Sequence, residues 1–470
     1  MGRAAARRQH GHPGCPLGRA SRGERRSGRR PTAERRLPVV GPRPVRPILP
    51  RGHPPPVVAG GRRRLGPAFG NLFTSNLASS LGDGIARTAA PLLAVRLTDD
   101  PLLVSGIAAL AMLPWLLFAV PAGIIVDRID RRTALALANG GRAALAGVLL
   151  MLSATGSLTI WWLYAIIFLY GIGETIYDGA IRAIVPSVVT RTELPRANSR
   201  IEAGELVVQN FLSGPFTSVL FAVSVLIPLG ANIVVYAGAV VLAVLLPTAA
   251  AGTHLSGEAV DRVQWHRQFA DGFRFIFASR MLTTLLGLST FIGLCVSAAT
   301  ASFVLYLLDR LALPEALFGL FMLTGAVGGI LGSMVAQRLK ERWGAGLTMA
   351  VANIVATLGF VFVGLVPTLW AAGVGYFVTS AAILVWNVHV MSLRQSVIPS
   401  RLLGRVHGSW RTVLWGSMPL GSLIGGALGR IDLTVPFIVG GGAATLAAIV
   451  FFRFLTTLPN PEDVDNGDSR

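Results

Sequence analysis

The sequence predicts an all-α polytopic membrane protein, with twelve transmembrane helices in two pseudo-symmetric six-helix bundles. Three observations predict it. Of the 470 residues, 52% are hydrophobic and only 14% charged, with a mean hydropathy of +0.60; an average soluble chain carries about 25% charged residues. Apolar runs recur from about Ala68 to Leu458, each near the roughly 20 residues that cross a bilayer as a helix. The second half also repeats the first at an offset of 209 residues.

The first 65 residues hold 17 arginines, two glutamates and no lysine, for a net charge of +15. Such an Arg/Pro/Gly composition buries no core and predicts a disordered cytoplasmic tail. It lacks the apolar h-region of a secretory signal. It fits a genuine tail and a start assigned too early equally well; the next methionine is Met112, inside the second span. The remainder carries 25 basic and 21 acidic residues. The overall +19 therefore belongs to the tail, and no nucleic-acid partner is expected.

Twelve spans follow, at about 68–95, 102–126, 133–153, 160–182, 202–224, 229–250, 281–307, 314–337, 345–367, 369–393, 406–429 and 433–456. They group into an N-terminal bundle (66–250), a linker (251–280), a C-terminal bundle (281–458) and an acidic cytoplasmic tail (459–470). In the linker, Trp265, Phe269, Phe273, Ile276 and Phe277 share one helical face, with Arg267, Asp271 and Arg274 turned away. That pattern fits an interfacial helix on the cytoplasmic leaflet and packing beneath the bundle equally well.

Loop charge sets the orientation. One set of loops holds Arg128, Arg131, Arg132, Arg191, Arg196, Arg200, Arg262, Arg267, Arg274, Arg280, Arg338, Lys340, Arg342, Arg394, Arg401 and Arg405. The alternate set offers Arg96, Arg310 and Arg430, each with a nearby acid: Asp99, Asp309 and Asp432. The positive-inside rule then places both termini in the cytoplasm. The repeat pairs Gly123–Arg132 with Gly332–Arg342, where Ala336 replaces Asp127, and Arg196 with Arg405. A site at the midplane between two such halves is the expectation.

Ionisable groups at membrane depth are the functional candidates, because charge there is costly. Asp83, Glu174 and Asp178 are the candidate proton carriers, with Arg87, Arg142 and Arg182 as charge partners. Arg87 lies four residues after Asp83 on the same face and is expected to pair with it. Arg142 needs an acid from another span. Glu174, Asp178 and Arg182 recur every four residues along span four. Each acid is open to a second reading, as a structural lock that ties helices together. In the second half, His389 and Arg411 lie about one turn inside a span end. Asn76, Tyr170, Tyr177, Asn210, Trp386, Asn387 and His389 are candidates to line a substrate cavity. Cys15 and Cys295 make neither a disulfide framework nor a metal site. There is no phosphate-cradling G-K-[ST] loop, so no ATP-driven pump and no enzyme is expected, and no cofactor or metal.

Residues Gly123–Arg132, G-I-I-V-D-R-I-D-R-R, resemble the loop between helices 2 and 3 of the major facilitator superfamily, roughly G-x-x-x-D-R-x-x-R-R. Within it Gly123 would let two helices approach closely, Arg128, Arg131 and Arg132 would hold the loop in the cytoplasm, and Asp127 would face the N-terminus of span eleven, near Val406–Arg411, as a cytoplasmic gate. Leu81–Arg87 (L-G-D-G-I-A-R), Leu113-Pro114, Ser392–Val406 and Trp415–Gly421 resemble the enterobactin-exporter and macrolide-efflux branch. The resemblance covers about residues 68–456. It implies a major facilitator fold in a bacterial inner membrane, a monomer in contact with lipid, and proton-driven export of amphipathic small molecules such as drugs, macrolides or siderophores. Two departures stand out. Ile167–Gly171 lacks the arginine of the R-x-x-Q-G pattern, and Asn210 replaces the first glycine of the G-x-x-x-G-P pattern that ends in Gly214-Pro215. A proton-symporting importer and a non-transporting sensor or lipid-handling scaffold remain the alternatives.

Overall fold

The computed structural model describes residues 65–246 and 265–463, and these are helical with no strand among them. The readings of the tail up to residue 64, of residues 247–264 and of 464–470 lie outside the described residues.

The first bundle contains α1 (Pro67–Leu97), α2 (Pro101–Arg128), α3 (Arg131–Ala154) and α4 (Ile160–Val188). Its fifth span is α5 (Leu194–Leu206), continuing through a π-helical stretch (Val207–Leu212) into α6 (Ser213–Val223). Its sixth is α7 (Leu226–Val244). The linker helix α8 (Trp265–Ala278) precedes α9 (Arg280–Thr300). That span runs on through α10 (Phe303–Leu305) and a second π-helical turn (Tyr306–Arg310). Helix α11 (Glu315–Leu365) holds two spans, broken at Gly344, whose φ of 78° suits only glycine. Then come α12 (Leu369–Val397), α13 (Ser400–Gly429), α14 (Val435–Val450) and α15 (Phe452–Thr456). The helix starts follow from caps. The side chains of Asp100, Asp130, Thr159 and Ser279 each accept a backbone N–H of the next turn. Among the described residues, eight helices are long and apolar enough to cross a membrane, one of them the double span of α11. The expected boundaries differ at the fifth span, which starts at Leu194 rather than near 202, and at α13, which starts at Ser400 after Pro399 rather than near 406.

The two halves meet along two helix pairs, α2 with α13 and α6 with α11. Small residues make this possible. A Cβ on Gly319 would run into the backbone of Gly214, and one on Gly426 would meet Ser105 Cβ at 2.7 Å. Gly429 lies against Pro101, and Ser105 Oγ is 3.1 Å from Ser302 Oγ. All of these lie at the face away from the arginine-rich loops, called here the opposite face. A side chain at Gly319 cannot fit without parting α6 and α11. Gly319→Val is therefore expected to lengthen the spin-label distance between the 223–225 and 311–314 turns; an unchanged distance would dismiss this contact as the closure.

Helices α2 and α13 run antiparallel in a steady register. Pro101 faces Gly429, Ser105 faces Gly426 and Leu116 faces Gly416, pairs whose numbers total 530 to 532. The same register sets Gly123 level with Gly408, and Asp127 level with Gly404. Yet an added Cβ at Gly123, Gly404 or Gly408 would meet nothing within 4 Å among the described residues. The seam closed at the opposite face has parted at the basic face. This corrects the close approach expected at Gly123: in this conformation the tight contact belongs to its repeat partner Gly332, whose Cβ would run into the backbone of Ala381.

Helix α8 packs on α13. Gly272 abuts the Arg405 carbonyl, Ile276 is fully buried, and Phe277 stays 63% exposed. Asp271 is not turned away as expected, because Arg405 donates to it at 3.0 Å. The side chains of Val120, Asp127 and residues 265–269, including Trp265, Arg267 and Phe269, lie outside the described residues.

Candidate functional site

Two charge centres sit at mid-depth in the first bundle. The first is sealed. Arg142 of α3 is fully buried and donates to Asp83 of α1 at 2.5 Å, to Asn139 Oδ1 at 2.5 Å and to Ser79 Oγ at 3.0 Å. The guanidinium lies 4.8 Å from the ring centres of Tyr177 and Tyr236 and 5.9 Å from Tyr170. Tyr236 donates to Asp83 at 2.6 Å and takes a hydrogen bond from Tyr170. Asn232, one turn before Tyr236, donates to the Gly82 carbonyl. Tyr177 donates to Asn76, which donates to Glu205. Arg142 thus has its acid, and Asp83 is spent on Arg142 and Tyr236. Burial of a charge pair at this depth demands that every donor be met.

The second centre is open. Arg87 donates to Glu174 of α4 at 2.5 Å and to Gln209 at 3.4 Å. This corrects the expected Asp83–Arg87 pair. The two residues stay within about 40° of each other on α1, but Asp83 is taken by Arg142 and Tyr236 inside the bundle while the long Arg87 side chain reaches Glu174 and Gln209. The side chains are 60% exposed for Arg87 and 18% for Glu174, against 0% for Arg142 and 7% for Asp83. The π-helical stretch presents Gln209, and Gly84 lets it approach; a Cβ there would meet Gln209 Cα at 3.2 Å. α4 packs against α2, and α1 against α6, the two helices that meet the other half. The Arg87–Glu174 pair thus joins two helices that each pack on one of those meeting the other half.

Towards the basic face, Arg182 pairs with Asp178 at 3.3 Å. Both help to line a pocket of about 220 Å³ with Asn198, Glu202 and Glu205.

The remaining candidates scatter. Asn76 and Tyr177 are buried within the bundle, and Tyr170 is partly buried there. Asn210 and Asn387 are exposed. Trp386 packs against apolar neighbours, and His389 is buried with Nε2 3.1 Å from the Ala336 carbonyl. Arg131 donates to the Ala183 carbonyl, Arg132 pairs with Asp130, and Arg128 is exposed. Tyr236, Asn232, Asn139, Ser79 and Gln209 were missed; Asn232 and Tyr236 at i, i+4 in an apolar span were the available signal.

Two ion pairs tie the halves at the opposite face: Arg96 to Glu315 and Arg430 to Asp100, each at 2.5 Å. The acids are not the sequence neighbours expected, Asp99 and Asp432. Hydrogen bonds from Arg430 hold the Asp100 carboxyl below the usual carboxylate range. Its contribution is thus present above the ordinary value and lost only as pH falls through the lowered one, so this tie does not titrate near neutrality.

A family model described as transmembrane secretion effector matches residues 65–470. Similar proteins include an uncharacterized MFS-type transporter of Mycobacterium tuberculosis, 26% identical, with 82% of this chain and 90% of the relative covered. Macrolide efflux protein A of Streptococcus pyogenes is 24% identical (75% and 87% covered), and the enterobactin exporter EntS of Shigella boydii is 26% identical (78% and 86%). In fold, the chain is similar to the nucleoside transporter NupG, with a TM-score of 0.66 and 14% identity over 84% of this chain and 100% of that one. It is also similar to a bacterial homologue of the iron transporter ferroportin in an inward-facing state, with a TM-score of 0.65 and 18% identity over 83% and 98%.

Proposed function

The chain belongs to the transmembrane secretion effector family of major facilitator transporters, and we propose that it exports amphipathic small molecules in exchange for protons. The halves 66–250 and 281–458 rock about the space between them, in a bacterial inner membrane with the basic face in the cytoplasm. The observation that carries this is the Glu174–Arg87 pair, at membrane depth yet with the Arg87 side chain exposed.

In this reading Glu174 is the proton carrier and Asp83 is a fixed counter-ion. When the carrier opens outward, Glu174 takes a proton and releases Arg87. When it opens inward, the proton leaves to the cytoplasm, Glu174 pairs with Arg87 again, and substrate enters. The pairing here, with the basic face parted, matches the second state. The export direction is drawn from the names of the macrolide and enterobactin relatives. The test is accumulation of macrolides and catecholate siderophores in cells lacking their own exporters, with and without a protonophore. Lowered accumulation that the protonophore abolishes is expected. A decrease indifferent to the protonophore, or none across the panel, would reject the reading.

Asp127 acts on the same cycle as the gate. When the basic face closes, its level at Gly404 would bring it to the start of α13, where a carboxylate is worth about 0.3–1 kcal/mol exposed and up to ~2 kcal/mol partly buried. At the upper end that biases a two-state carrier more than tenfold, since about 1.4 kcal/mol is tenfold. Asp127→Asn is expected to lengthen the distances between labels on the 128–132 and 401–406 segments and to slow turnover. Identical distance distributions at several pH values would reduce Asp127 to a topological anchor.

A further inference from the structure

Arg411 is the intramembrane cation whose charge this cycle leaves unused. Because α13 starts at Ser400, Arg411 lies three turns into the helix, roughly 16 Å along it. It is not near a span end as the sequence suggested. Its guanidinium carbon sits 4.1 Å from the ring centre of Trp415 and 5.8 Å from that of Trp115, a residue midway along α2. The two indoles meet edge to face at 6.3 Å. Arg411 is therefore at mid-depth, on the seam between the halves, next to where that seam parts.

Its partners set it apart. Arg87, Arg142 and Arg182 each hold a carboxylate. Among the described residues no carboxylate lies within ion-pair distance of Arg411. The charged groups that act on it through space, Arg182 and Asp178, are already paired with each other. Indole faces stabilise a guanidinium through its plane and leave its in-plane N–H donors unspent. A partly buried cation at this depth is costly without a counter-charge.

We propose that Arg411, bracketed by Trp115 and Trp415, binds the anionic group of the transported molecule. The substrate class is then an organic acid: a carboxylate or phenolate carried on an aromatic or apolar body. The fork of N–H donors suits such an anion, and the indoles offer its body an aromatic wall. The proposal rests on the transport reading for its substrate, but the binding it predicts needs no gradient and no direction.

The test is equilibrium dialysis of 1-naphthoate and its neutral ester, methyl 1-naphthoate, against the full chain in lipid nanodiscs, with empty nanodiscs subtracted. The parent is expected to bind the acid about tenfold or more tighter than the ester, the scale of a hydrogen bond to a charged group. Arg411→Gln is expected to erase that preference and leave ester binding unchanged, and Arg411→Lys to retain part of it. Equal affinities in the parent overturn the proposal, as does a preference that survives Arg411→Gln. The acid–ester comparison in the parent decides the matter even if the glutamine variant fails to insert. Because no gradient exists across a nanodisc, an anion preference without proton-driven export would count against the coupling reading alone.

Discussion

Glu174→Gln is expected to reduce gradient-driven transport to the level of vesicles without protein, while substrate binding and membrane insertion persist. The argument is one of access. A coupling carboxylate must meet water on alternate sides of the membrane and must be able to lose its partner. Glu174 is partly buried but lies beside the exposed Arg87, whose guanidinium has Gln209 as a second acceptor. Glutamine keeps the size and the acceptor oxygen and removes the titration. Arg87 then stays unneutralised in the cleft, and the exchange step has no proton to carry. The measurement is substrate movement in proteoliposomes under an imposed pH gradient, beside counterflow without a gradient. Loss of the first with survival of the second is the expected pattern. Full gradient-driven transport in Glu174→Gln would remove this residue from the mechanism and return attention to Asp178.

Much of this was legible in the sequence, and the unread part has physical causes. The all-helical membrane fold follows from apolar length, a local property, and its two halves from a fixed repeat offset. The partners of the charges are not local. The i, i+4 rule placed Arg87 with Asp83, but the rule concerns one helix in isolation; α1 is packed among other helices of the bundle, and α3 supplies Arg142 to Asp83. The opposite-face ties join Arg96 to a residue 219 positions away, a distance no periodicity reports. The π-helical stretch that turns Gln209 towards Arg87 leaves no signature in an apolar run. The depth of Arg411 was misjudged because polar residues between 400 and 406 read as loop, whereas Pro399 starts the helix and those residues form its first exposed turns. Asn232 and Tyr236 were readable: an asparagine and a tyrosine one turn apart inside an otherwise apolar span need partners, and both find them on α1.

Asp83→Asn is expected to act on stability. Among the described residues its carboxylate is the sole acid bonded to a guanidinium that has no exposed surface, so its removal leaves a buried charge without compensation. Breaking a buried pair from one side costs about 3–5 kcal/mol. The thermal unfolding midpoint of Asp83→Asn should therefore fall well below the parent, and Arg142→Gln should fall by a comparable amount, since Asp83 would then be the stranded ion. Removing both charges together leaves amides that Ser79, Asn139 and Tyr236 can still satisfy, so the double variant should lose much less than the two single losses combined. This non-additivity separates a structural lock from a proton relay. A relay residue would leave the melting midpoint near the parent's and change the pH dependence of transport; a lock lowers the midpoint, and the molecules that remain folded at low temperature still couple to the gradient. The measurement is the unfolding midpoint of purified single and double variants, with transport per folded molecule at low temperature. An Asp83→Asn protein as stable as the parent but uncoupled would move the proton site from Glu174 to Asp83, and strictly additive losses would show that Arg142 and Asp83 are held by the rest of the network rather than by each other.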